Sequence, residues 1–161
     1  MLPVAEINLI LNKHEQKRPL SCFQSAVEMV LKLHGVVAEG EYPEQDIVAN
    51  DQRGYEPFAG KEKQYGETHV SFEEIKFEPL GGAVDKGREL LKEGVYPIFS
   101  FMWPDGSGFH GFVGFQNEGG DLSFFTKKSI GVCPATRLNL PEIIFAQVKT
   151  EILVVRILPK K

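Results

Sequence analysis

Cys22, His110 and Gln16 are the residues of this chain whose types and spacing can do chemistry. Cys22 stands between a turn-like segment, Arg18-Pro19-Leu20-Ser21, and a strongly helical run over residues 23–34. A thiol at a helix N-terminus meets the positive end of the helix dipole and amides with no partner inside the helix. Both favour thiolate, the nucleophilic form of cysteine. His110 heads a second apolar run, Gly111-Phe112-Val113-Gly114-Phe115. Histidine is the natural general base for a thiol because it titrates near neutral pH. Gln16 precedes Cys22 on the segment leading into the helix. Its amide can point at the same oxyanion as the Cys22 backbone N–H, giving the two donors that acyl transfer needs. Taken singly, each has a plain reading: a small core residue, a structural histidine, a surface amide. Taken together, they describe a nucleophile on a helix start with its base delivered by a distant strand.

The remaining candidates are weaker. His14 and His69 read as loop residues, and His34 lies at the far end of the Cys22 helix. Cys133 precedes Pro134 in a turn-like segment and reads as structural. The chain has no Gly-rich phosphate loop and no metal-ligand spacing, so no cofactor and no metal are implied. Phe99, Phe101, Trp103, Phe109, Phe112, Phe115, Phe124 and Phe125 read as sheet core. Trp103 and Phe109 flank the turn before His110, so they can also line a substrate groove.

The elements that must position these residues follow from periodicity. Residues 4–11 read as a short strand and 14–19 as a loop. The Cys22 helix has apolar positions Phe23, Ala26, Val27 and Val30, widened by Met29 and Leu31, so it is buried on most sides. Ser21 is its expected N-cap and Gly35 its C′ residue. Residues 43–50 predict a second short helix, with Pro43 at its first turn. Residues 51–68 read as a long mobile loop, a lid or specificity element. A helical turn is predicted over 71–75 and a helix over 84–93, closed by Gly94. Strands are predicted over 96–103, 110–116, 122–126 and 152–158. Residues 104–108 read as a turn and 117–121 as a hairpin loop; 143–146 is ambiguous. Helices first and an antiparallel sheet after argue for an α+β fold.

Size and charge set the outer bounds. A chain of 161 residues is read as one domain, 1–161, with one core. Its net charge of -4, with scattered lysines and arginines, gives no basic stripe for nucleic acid. No apolar run suits membrane insertion, and the start, Met1-Leu2-Pro3-Val4-Ala5-Glu6, lacks a signal-peptide pattern. A cytoplasmic location is the expectation, with secretion by a signal-free route left open. Two cysteines form no disulfide framework and fit free thiols, a single Cys22–Cys133 bridge being the alternative. Oligomeric state is not legible.

Gln16, Cys22 and the run Met29-Val30-Leu31-Lys32-Leu33-His34-Gly35 resemble the active-site helix of the papain-like, bacteriocin-processing (double-glycine leader) peptidases. Glu44-Gln45-Asp46-Ile47-Val48-Ala49 resembles that group's second helix. Leu90-Leu91-Lys92-Glu93-Gly94-Val95-Tyr96-Pro97-Ile98 resembles its helix, glycine and strand entry, and His110 then begins the strand carrying its base. The resemblance covers residues 13–129. It implies a papain-like fold, with N-terminal helices packed on a C-terminal antiparallel sheet and a Cys/His cleft between. It implies a cysteine hydrolase acting on a peptide or related amide bond of a peptide or protein substrate. The alternatives are another acyl-transfer enzyme on the same scaffold (a deamidase, a transglutaminase-like toxin or a peptidoglycan amidase) or a catalytically dead module that binds peptide. After the cysteine the group usually has a glycine or another small or aromatic residue; here it is Phe23. The chain departs from the pattern at the third catalytic position. The orienting Asp or Asn is missing, because a tight hairpin sets Thr126, Lys127 and Lys128 opposite His110, with Asn117 and Asp121 too far along the strand.

Overall fold

The computed structural model describes residues 1–17, 21–47, 56–77, 80–102, 109–127, 131–141 and 150–159. Among them the protein is mixed α+β. A seven-stranded antiparallel sheet forms its centre, with a separate two-stranded ribbon.

The first element is a helix, α1 (Val4–Lys13), where the sequence reading expected a strand. Burial follows a four-residue spacing: Ile7 and Leu11 are buried while Leu9 is exposed. That is one stripe of a helix and would put both residues on one strand face together with Leu9. After it, β1 (Glu15–Gln16) pairs antiparallel with β7 (Gly131–Val132), so part of the expected loop is strand.

The helix that carries Cys22 is α2 (Cys22–Leu33). Ser21 is its N-cap and Gly35 takes positive φ just beyond its end, as expected. Ten consecutive residues, Gln24 through Leu33, are buried, Glu28 and Lys32 included. A short helix follows, α3 (Pro43–Ile47).

Two expectations fail between α3 and the next helix. Part of the expected mobile loop is β2 (Glu62–Tyr65), and the expected helical turn lies within β3 (Thr68–Phe77). The two strands form a hairpin, Gln64 opposite His69, with Gly66 at positive φ in the turn. Val70 and Phe72 alternate inward, the two-residue period of a strand. Then α4 (Leu80–Lys92) precedes β4 (Ile98–Met102), β5 (Phe109–Gln116), β6 (Leu122–Thr126), β8 (Thr136–Asn139) and β9 (Thr150–Ile157). Strand order across the sheet is β2-β3-β9-β4-β5-β6-β8. Trp103, Lys128, the 104–108 turn and residues 143–146 lie outside the described residues.

The two main helices reach the sheet through glycines. A Cβ on Gly87 of α4 would lie 2.6 Å from Phe99 Cζ. A Cβ on Gly111 of β5 would lie 3.1 Å from Ala26 Cβ and 3.2 Å from the Cys22 carbonyl. Phe99 pairs with Phe112, and Phe112 and Gly111 point to opposite sides of β5. Hence α2 and α4 cover opposite faces. Phe99, Phe101, Phe112 and Phe124 interlock in stacked and edge-on contacts inside the core.

Candidate active site

Cys22 opens α2, and Gly111 lets β5 press against that turn with Phe23 packed over it. The amides of Gly111, Phe23 and Cys22 face the sulfur and favour its thiolate. Burial acts the other way and is the larger effect, so the thiol is pushed above its ordinary range. The helix start supplies the donors expected of it, but at rest Cys22 is a protonated thiol. Neither cysteine is in a disulfide.

The strand pairing around Gly111 explains how His110 arrives. β5 and β6 pair regularly through Phe115↔Ser123 and Val113↔Phe125. One rung further, Gly111 would pair with Lys127. Three backbone groups of that rung are diverted. The Gly111 N–H faces the Cys22 sulfur. The Gly111 carbonyl accepts from Thr126 Oγ1 at 2.7 Å. The Lys127 carbonyl lies 2.9 Å from His110 Nε2. Sulfur and imidazole thus each meet a main-chain group of that rung. The ring starts from the β5 face it shares with Phe112, edge-on at 5.6 Å, and reaches the sheet edge where the ladder opens.

That bond fixes the tautomer. A carbonyl only accepts, so Nε2 carries the proton and Nδ1 is the basic nitrogen. The orienting group is therefore main chain. Thr126, expected opposite the ring, donates to Gly111 instead. Asn117 and Asp121 stay in the hairpin turn, where Asp121 pairs with Arg88 at 2.8 Å. Burial lowers His110 to about 4, against the opposing pull of the Lys127 carbonyl. Thiol and imidazole are both neutral at pH 7.

Gln16 is buried on β1, opposite Gly131. The other edge of β1 is held by side chains that the sequence reading did not single out. Glu15 N–H donates to Tyr42 Oη at 3.1 Å. Gln45 Nε2 donates to the Glu15 carbonyl at 2.9 Å, and Lys17 N–H donates to Gln45 Oε1 at 2.7 Å. Ser21 Oγ donates to the same Oε1 at 3.1 Å. Glu28 accepts from Gln45 Nε2 and from the amides of Glu44 and Gln45. Burial raises the Glu28 carboxyl to about 7.

Beside this cluster His14, in the link between α1 and β1, is buried. Its Nδ1 accepts from Lys32 Nζ at 3.0 Å, so Nε2 donates to Ser25 Oγ at 2.8 Å. Lys32 also lies over the Tyr42 ring at 3.9 Å. Burial, then the Lys32 charge, lower His14 to about 2. The available signal was Glu28 and Lys32 themselves: charged residues inside a helix read as buried on most sides must have partners.

No group of His, Cys, Asp and Glu side chains among the described residues is arranged to hold a metal ion. No described helix is long and apolar enough to cross a membrane. The chain matches no family model, no curated protein and no solved structure.

Proposed function

We propose that this chain is a papain-like cysteine hydrolase, of the bacteriocin-processing peptidase type, acting on a peptide or related amide bond. The broken rung between β5 and β6 supports the reading, because one of its main-chain groups faces the sulfur and another bonds the imidazole. The Cys22 sulfur attacks the substrate carbonyl carbon as His110 Nδ1 takes the thiol proton. The carbonyl π pair moves to oxygen, where the Cys22 N–H and the Gln16 amide receive it. Collapse breaks the C–N bond, and His110 returns the proton to the leaving amine. Water then hydrolyses the thioester by the same route. A neutral resting pair suits this sequence, since proton transfer accompanies attack and the Lys127 carbonyl holds the Nε2–H of the imidazolium formed.

The test is acylation by p-nitrophenyl acetate, followed by p-nitrophenolate release and by mass spectrometry of the peptides bearing Cys22 and Cys133. Cys22 is expected to acylate faster than Cys133, and His110→Ala to slow it about 100-fold, the low end of general-base contributions. If Cys22 acylates no faster than Cys133 and ignores His110→Ala, the hydrolase reading is wrong. The raised thiol and lowered imidazole favour one alternative in that event, a non-catalytic module of the same fold that binds peptide.

A further inference from the structure

We infer that Gln45 is the positioning residue of this site: it stands in for a missing strand along β1 and locks Gln16 to the start of the Cys22 helix. The inference rests on the reading of Cys22 and Gln16 given above. It adds a residue that makes no contact with substrate.

β1 is two residues long and, among the described residues, pairs with a strand on one edge only, β7. A strand that short cannot hold a side chain in register by itself. Along its other edge the main chain presents the Glu15 carbonyl and the Lys17 N–H, which flank Gln16. These are the groups a neighbouring strand would pair with. One primary amide satisfies both: Gln45 Nε2 gives to Glu15 O, and Gln45 Oε1 takes from Lys17 N–H. An amide side chain carries the same donor and acceptor as a peptide group, so it serves as a one-residue strand.

The same oxygen also takes the Ser21 hydroxyl, one residue before Cys22. Ser21 caps α2 by position but makes no side-chain cap bond, its hydroxyl being given to Gln45. A single buried side chain therefore fixes the main chain on both sides of the oxyanion amide and the residue before the nucleophile. Glu28 fixes Gln45 in turn, accepting its second N–H at 2.6 Å and the amides of Glu44 and Gln45 that start α3. Gln45 and Ser21 are fully buried, so water does not supply these bonds when the amide is removed.

Two probes of Cys22 separate positioning from mere stability. Acylation by p-nitrophenyl acetate passes through an oxyanion: sulfur attacks the carbonyl carbon and p-nitrophenolate leaves. Alkylation by iodoacetamide does not: sulfur attacks the methylene carbon and iodide leaves. The ratio of the two rates reads the oxyanion donors and cancels changes in thiol reactivity. Gln45→Met keeps the volume and removes every bond. It is expected to lower that ratio about tenfold, in the same direction as Gln16→Ala, with alkylation unchanged within about twofold; a small misplacement of a donor is enough for this. Gln45→Glu sets two carboxylates together and is expected to lose the ratio as well. Adding Glu28→Gln restores a donor–acceptor pair and is expected to recover part of it. If Gln45→Met does not fold, this second pair of variants carries the same decision.

A wild-type ratio that falls in Gln16→Ala but not in folded Gln45 variants overturns the positioning role alone. A ratio that ignores Gln16, with a Cys22 acylation rate that ignores His110→Ala, overturns the hydrolase reading, and this inference with it.

Discussion

The imidazole of His110 gains its direction from a peptide carbonyl rather than from a side chain. A carboxylate would both aim the ring and stabilise its charged form. The Lys127 carbonyl does the first fully and the second only in part, so burial prevails and the ring sits at about 4. This has a direct spectroscopic consequence. Long-range 15N–1H correlation is expected to show His110 as the neutral Nε2–H tautomer at pH 7, protonating only near pH 4. A ring that titrates near its ordinary 6.5, or carries its proton on Nδ1, would remove the Lys127 bond from the account. The residue scale also explains what could be read beforehand. Cys22, His110 and Gln16 announce themselves through side-chain chemistry. A main-chain acceptor has no letter of its own, which is why the orienting group reads as missing from the sequence. Gly111 was half legible: its place in a Gly-Phe-Val-Gly-Phe run signalled a strand in close contact, but not that the contact was the Cys22 turn.

Elements were legible where one periodicity dominated. The helices starting at Cys22 and ending at Lys92, and the strands β4 to β6 and β9, lie within a few residues of expectation. The failures have local causes. In α1 the apolar residues crowd at Ile7, Leu9, Ile10 and Leu11, and only burial shows which of them form the stripe. In β2 and β3 charged residues hide a hairpin that covers one end of the sheet, and its fully buried positions are Val70 and Phe72 alone. The β1–β7 ribbon joins segments far apart in sequence, which no local pattern encodes. Helix α4 offers a test in which two element-level effects oppose each other. Gly87→Ala gains about 1 kcal/mol of helix propensity. The new Cβ, however, would stand 2.6 Å from the ring of Phe99, which is fully buried and stacked on Phe101 and so cannot swing away. Overpacking of this kind costs about 1–3 kcal/mol. The clash is expected to win, lowering Tm by a few degrees relative to wild type. A rise in Tm would mean that α4 lifts off the sheet freely.

At the scale of the whole molecule, the buried polar layer around α2 sets how stability responds to acid. Its members pull in opposite directions. His14 and His110 are depressed, to about 2 and about 4, so the unfolded chain binds their protons first. Each therefore removes stability as pH falls below the ordinary histidine value of about 6.5, His110 down to about 4 and His14 down to about 2. Glu28 is raised to about 7, so the folded chain binds its proton first. Its contribution grows as pH falls from about 7 to the unfolded value near 4.5, and is lost again as pH rises through 7. Glu74, raised by burial and by Glu151 beside it, acts in the same sense. The exposed carboxylates of the Arg88–Asp121 and Arg137–Glu118 pairs add a little acid sensitivity, which solvent screens. His34, also lowered by burial, acts with the other two histidines. Between about pH 6.5 and 4.5 the proton taken up by Glu28 thus offsets only part of what the histidines remove, and below 4.5 it offsets nothing. Thermal unfolding is expected to show a Tm that falls gently across that window and more steeply beneath it. Glu28→Gln keeps the side-chain volume but removes the offset, so its decline should already be steep from near pH 6.5. Parallel profiles for the two proteins would show that Glu28 does not take up its proton within the fold. The carboxyl would then meet Gln45 and the α3 amides as an anion throughout.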